Sequence, residues 1–262
     1  MLRTFWIAST GMQSQQLNLD VIANNLANVN TVGYKKSRTD FQELLYQEET
    51  MPGAASSPDT QVPTGLQIGL GVRPVSTEKI FSEGNLEQTS NPLDLAVEGE
   101  GFFKILLPSG EVAYTRSGSF KVDSEGRIVT ATGYPLDPET SVPEDTREVF
   151  ISADGILSVT QGDSNVPTEI GSLELARFVN PGGLRPMGQN LFLATTASGD
   201  EVTGVPGEDG MGTVAQGFLE MSNVNVVEEM VNMIISQRAY EINSKAIQSA
   251  DQMLQMLNNL KV

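Results

Sequence analysis

Residues 224–260 form the longest uninterrupted periodic segment of the chain, and they limit what the rest can be. Apolar or small residues recur at Ile235, Ala239, Ile242, Ala246, Ser249, Met253, Met256 and Leu260, with spacings that alternate between four and three. That is the seam of a packed helix, and no Gly or Pro interrupts it. Asn225 stands where an N-cap is needed, with Glu228 three residues later as its capping-box partner. Glu228 and Glu229 also place negative charge at the favourable end of the helix dipole. At 1.5 Å of rise per residue the helix would be roughly 55 Å long. That is too long for one small domain to cover, so it needs a partner along most of its length.

The other end of the chain supplies a segment of the same kind. Phe5, Ala8, Met12, Gln15, Leu19, Ile22, Leu26 and Val29 repeat with three–four spacing. Helices at both termini around a different middle predict a hairpin in which the two ends meet. Small residues at Ala23, Ala27, Ala239, Ala246 and Ala250 would let further helices approach closely. Periodicity alone leaves two destinations for the stripes: the protein's own core, or copies of the same chain.

The middle differs in charge as well as in pattern. The 262 residues carry 16 basic and 33 acidic side chains, a net charge of −17. Residues 1–47 hold four bases and three acids, and residues 221–262 hold three bases and four acids. The acidity therefore lies almost wholly between them, which fits buried ends and a solvated middle. A basic nucleic-acid surface is not expected. There is no Cys and no His, which removes thiol nucleophiles, disulfides, Cys/His metal sites and imidazole catalysis. No apolar run approaches the ~20 residues needed to span a bilayer. The apolar core at Phe5–Ala8 is too short for a secretory signal, so export would take another route.

The first helix should stop near Asn30, with Asn28, Asn30 and Gly33 as stop signals. Asn24 and Asn25 inside it are either surface polarity or side chains bonded to a neighbouring helix. Residues 48–66 lose all periodicity. Pro52, Pro58 and Pro63 with several Gly and Ser predict a stiff linker or extended loop. Gly65, Gly69 and Gly71 are followed by no Lys-Ser/Thr pair, so they mark a turn into a strand at 72–79 rather than a phosphate loop.

From 95 to 196 the signal is β. Runs at 102–107 and 112–116, at 120–122 and 127–132, and at 149–152 and 156–160 flank short Gly-bearing turns. Residues 173–179 alternate like a half-buried strand, 199–212 read as an acidic loop, and 217–222 as a last strand. The expected fold is α+β: paired long terminal helices, coiled-coil-like, around an inserted antiparallel all-β domain. The expected parts are a helical domain of 1–30 and 224–262, a connecting layer of 31–94 and 197–223, and an outer β domain of 95–196.

Carboxylates are the only plentiful reactive groups. Pairs such as Glu98 with Glu100, Glu144 with Asp145 and Glu208 with Asp209 are close only in sequence, which is no evidence of a catalytic cleft. Residues 123–126 resemble part of a calcium loop but lack its alternating ligands, and a hairpin turn explains them. No nucleophile, base and orienting group come together, so no catalytic residue, metal or cofactor is expected. A secreted β-rich adhesin or glycan-binding module remains as another class.

Two stretches resemble a known family. The run from Ala23 to Lys36, A-N-N-L-A-N-V-N-T-V-G-Y-K-K, is similar to the N-terminal signature of bacterial flagellar rod and hook proteins. The run from Ser222 to Lys245, S-N-V-N-V-V-E-E-M-V-N-M-I-I-S-Q-R-A-Y-E-I-N-S-K, resembles their C-terminal signature. The motif residues are Asn24, Asn25, Asn28, Gly33, Tyr34, Asn223, Asn225, Gln237, Arg238 and Tyr240. The resemblance implies a structural subunit exported unfolded through the flagellar type III apparatus, polymerising into a hollow helical tube in the periplasm. Its implied partners are itself, proximal rod proteins, hook or hook-junction subunits and the P- and L-ring proteins. It also implies that Phe5, Met12, Leu19, Ile22, Leu26 and Val29 on one helix, and Ile235, Ala239, Ile242, Ala246, Met253, Met256 and Leu260 on the other, are assembly surfaces. The segment bearing Pro52, Pro58 and Pro63 would stiffen the polymer.

Overall fold

A computed structural model of the chain describes residues 2–53, 55–57, 60–61, 63–143, 145–162 and 166–259. The fold is α+β, with a helix at each end and antiparallel strands between them. The chain divides into two compact units: Met1–Leu26 with Ser37–Glu78 and Val226–Val262, and Ala27–Lys36 with Lys79–Asn225. Pro58 and Leu260 lie outside the described residues.

In the first unit, helix α1 covers Leu2–Ala27 and helix α2 covers Val226–Asn259. Asn225 precedes the first residue of α2, and Glu228 and Glu229 fall in its first turn, where the sequence puts them. The helices run antiparallel, since Asn18 meets Ser236 and Asn25 meets Glu229. Ser37–Glu43 pairs with Val72–Lys79, the strand expected after the glycines.

The Pro-rich segment is not the irregular linker that its composition suggests. Tyr46–Thr50 pairs antiparallel with Leu66–Gly69, and Ala55–Ser57 pairs with Thr60–Gln61 nearer the tip. Backbone bonds from Leu44 to Gly71 and from Leu70 to Leu45 close the base of this hairpin. A two-stranded ribbon solvated on both faces needs no apolar alternation, so Y-Q-E-E-T carries no period-2 signal. Pro52 and Pro63 lie outside the paired runs, where a missing N–H costs no ladder bond.

The second unit is built around a six-stranded antiparallel sheet in the order Arg185–Gly188, Leu191–Leu193, Val112–Thr115, Phe102–Leu106, Leu175–Arg177 and Val202–Gly204. Two hydrophobic clusters cover its two faces. Phe103, Ile105, Ala113, Leu175 and Leu191 point into the larger one, and Phe102, Tyr114, Ala176 and Phe192 into the smaller. Leu173–Val179 alternates as expected at Leu173, Glu174 and Leu175, but Leu175 and Ala176 are both fully covered, so the strand is buried on both faces at that point, while Val179 is exposed. Part of the expected acidic loop, Val202–Gly204, is the edge strand of this sheet. The Asp123–Gly126 turn joins Phe120–Val122 to Ile128–Thr130 as expected, with Gly126 at a φ of 81°. Asp123 is used up within that turn. It accepts from the N–H groups of Glu125 and Arg127 and pairs with the Arg127 guanidinium.

Candidate assembly surfaces

Taken one by one, the motif residues have distinct tasks. Asn25 is buried in α1. Its Nδ2 donates to the Ser37 carbonyl at 2.9 Å and its Oδ1 accepts from the Ser37 N–H at 2.9 Å, so one amide pairs with a strand residue as another strand would. The same Nδ2 lies 3.3 Å from Glu229 Oε2 on α2. Asn24, next to it, is exposed, so the two expectations for this pair are each met by one residue. Asn28 closes the turn after α1, accepting from the Thr31 N–H and hydroxyl.

Gly33 stands at a φ of 69°. A Cβ there would lie 2.5 Å from the Ser117 nitrogen, so the position excludes every other residue by conformation and by space. Its N–H donates to the Glu220 carbonyl at 2.8 Å. Tyr34 is buried, with Lys79 Nζ 4.4 Å from its ring centroid. Asn223 is a three-way tie. Its Oδ1 accepts from the Lys36 N–H at 2.8 Å, and its Nδ2 donates to the Ile80 carbonyl at 2.8 Å and to Ser82. Ile80 in turn donates to the Lys36 carbonyl.

Sequence reasoning missed the centre of this arrangement. Lys35 is fully buried, and its Nζ donates to Glu220 Oε1 at 2.5 Å and to the Ser82 carbonyl at 2.6 Å. Arg116, also buried, donates to the Val97 and Gly99 carbonyls and places Nη1 3.5 Å from Glu220 Oε2. Glu220 Oε1 accepts from the Gly84 N–H as well. Desolvation pulls the Lys35 ammonium below the usual lysine range, and the Glu220 carboxylate opposes that. The lysine belongs to the N-terminal signature and the glutamate to a strand 185 residues away, so no local pattern announces the pair.

The helix stripes divide. On α1, Ile22 is buried, and Phe5, Met12, Leu19 and Leu26 are half-buried; the helix stops at Ala27, earlier than expected, so Val29, also half-buried, lies in the turn beyond it. On α2, Ile235, Ile242, Met253 and Met256 are exposed, Ile242 to 65%, while Ala239 and Ala246 are half-covered. Packing on the chain's own core, one of the two destinations that periodicity left open, is thus not where this stripe goes. Glu229, Ser236 and Asn243, a neighbouring row of α2, meet α1. Gln237, Arg238 and Tyr240 of the motif are also exposed, and Arg238 pairs with Glu241 one turn on. Elsewhere in this unit Trp6 (72% exposed), Leu45 (83%), Tyr46, Met51 and Leu66 face solvent. Monomeric proteins scatter single apolar residues on the surface, but rows and clusters of large ones mark contacts.

No group of three or more metal-binding side chains occurs among the described residues. What the geometry offers is a rigid β unit and a helix pair with unpartnered apolar faces, the equipment of a self-associating structural protein. Comparison with known families specifies it further. Residues 5–35 match the flagella basal body rod protein model, 96–159 the flagellar hook protein FlgE/F/G D1 domain, and 215–260 the flagellar basal body rod FlgEFG protein C-terminal model. The flagellar basal-body rod protein FlgG of Buchnera aphidicola subsp. Schizaphis graminum is 52% identical over 99% of this chain and all of its own length. FlgG of Borreliella burgdorferi is 51% identical over 100% of this chain and 99% of its own, and that of Bacillus subtilis is 38% identical over the whole of both. The chain belongs to the FlgG family of flagellar basal-body rod proteins. It is a structural subunit of the rod and not an enzyme.

Proposed function

We propose that the chain builds the distal part of the rod, polymerising through its terminal helices into a stiff hollow shaft that carries torque across the periplasm towards the outer membrane and the hook. The carrying observation is the exposed row Ile235, Ile242, Met253 and Met256 on α2, which the chain's own fold leaves uncovered. In this reading α1 and α2 pair as a coiled coil, and this row together with Phe5, Met12, Leu19, Leu26 and Leu260 packs between copies. The outer β domain of 95–196 faces away from the bore, and the layer of 31–94 and 197–223 connects the two. The hairpin with Pro52, Pro58 and Pro63 bridges neighbouring subunits and stiffens the shaft. Proximal rod, hook or hook-junction and ring proteins are its neighbours. Export proceeds through the type III apparatus, without a cleaved signal.

The test replaces Ile235 and Ile242 together with Asp in the full chain. Both side chains are exposed, so monomer stability should change by no more than about 0.5 kcal/mol. Straight tubes seen by electron microscopy of concentrated protein should disappear. Unaltered tubes from this variant would show that the row is not an interface.

A further inference from the structure

Polar side chains line part of the contact between α1 and α2, where a helix pair is ordinarily apolar. Three contacts step along both helices by sevens. A Cβ on Gly11 would lie 2.9 Å from Asn243 Nδ2, Asn18 Nδ2 donates to Ser236 Oγ at 2.8 Å, and Asn25 Nδ2 lies 3.3 Å from Glu229 Oε2. Ser14, Asn25, Glu229 and Ser236 are each at least nine-tenths buried. Many large apolar residues of α2, among them Ile235, Ile242, Met253 and Met256, stay exposed.

We infer that this ladder sets the register and the partner of the helix pair: it makes α1 choose its own α2 in a single alignment, and so reserves the apolar faces for other copies. A slide of seven residues in either direction keeps every apolar row opposite some apolar row, so hydrophobic contact alone discriminates weakly. The ladder does not survive the slide. In one direction Asn243 comes opposite Asn18, which unlike Gly11 has a side chain to accommodate, and Glu229 loses Asn25. In the other, Asn25 runs past the start of α2 and loses its acceptor there. A buried polar group left without its partner favours the native alignment by about tenfold or more. Polar residues at core positions of coiled coils fix register in this way at some cost in stability.

The chain has no Cys, so introduced pairs report cleanly. Continuing the three contacts puts Ala8 opposite Ala246 in the native alignment, and opposite Ala239 or Met253 after a slide of seven. Full-length protein bearing Ala8→Cys with Ala246→Cys, with Ala239→Cys or with Met253→Cys is oxidised at low concentration, and intramolecular cross-links are counted by mass. With the ladder intact, the native pair should exceed either shifted pair by about tenfold. In the background Asn18→Leu, Ser236→Ala, Glu229→Leu, the shifted pairs, or cross-links between chains, should rise to comparable yield. A native pair that still dominates there overturns the inference. If that background loses helicity, Glu229→Gln takes its place; shifted yield should rise several-fold, and unchanged yield overturns the inference equally. The inference rests on the proposed function only for what the exposed faces are kept for. Sedimentation of the same proteins reads association separately, so a kept register without polymers counts against that function and not against the ladder.

Discussion

Residue by residue, the buried charges of the β unit carry the sharpest expectations. Lys35 and Glu220 form one pair with almost no exposure. Removing one partner by Lys35→Met leaves the buried Glu220 carboxylate with Arg116, 3.5 Å away, as its remaining counter-charge, and should cost up to about 3 kcal/mol. Replacing both with Met and Leu takes the carboxylate from buried Arg116 as well, so only part of that loss should return; urea unfolding of the two single variants and the double variant measures the coupling. Tyr114 is a second case. Burial, together with its hydrogen bond to the Glu201 carboxylate, pushes its phenol far above the usual range. The folded state therefore holds this proton after the unfolded chain has released its own. The stability it contributes is complete below pH ~10 and declines as pH rises beyond that. Absorbance titration should show one tyrosine ionising last, and Tyr114→Phe should remove that step and flatten the alkaline loss of stability relative to the parent protein. Asn25, Asn28, Gly33, Tyr34 and Asn223 were legible in the sequence through the family motif; Lys35, Arg116 and Glu220 gain their meaning from contacts across the chain.

At the scale of elements, helices and strands differed in how far the sequence exposed them. The strand at 72–79, the turn at 123–126 and both helices follow from periodicity and glycine placement. Periodicity located α2 but not the side it turns to α1, because an apolar repeat marks a buried face without saying who buries it. The 46–69 hairpin escaped for the opposite reason: no residue of Tyr46–Thr50 or Leu66–Gly69 is fully buried in the chain itself, so these strands carry no pattern. Its exposed Leu45, Tyr46, Met51 and Leu66 are then the observation that needs a partner. Deleting residues 46–69 and joining the base, where Leu44 bonds Gly71, should leave the monomer folded and make its polymers bend. Tube curvature by electron microscopy checks this, and equally straight tubes would remove the hairpin from any stiffening role.

For the whole molecule, compactness does not follow chain order. The short segment Ala27–Lys36 belongs with the β unit although residues on both sides of it belong with the helices. A fragment of 27–225 should therefore fold cooperatively. One that starts at 79 lacks Gly33 and Lys35, leaves Glu220 with only Arg116 as counter-charge, and should be less stable by about 2 kcal/mol or more. Thermal unfolding followed by circular dichroism compares them. A fragment of 95–196, which composition suggests, would also lose the strands Val202–Gly204 and Thr213–Gln216 that pair within the unit.

The tie made by Asn223 has a mechanical meaning. Lys36, Ile80 and Asn223 stand at three separate passages of the chain, and each is bonded to the other two. A pull on any one of these passages is shared by the other two through these bonds. A thread sewn at three points resists fraying better than three loose threads, and this one is sewn with a single amide.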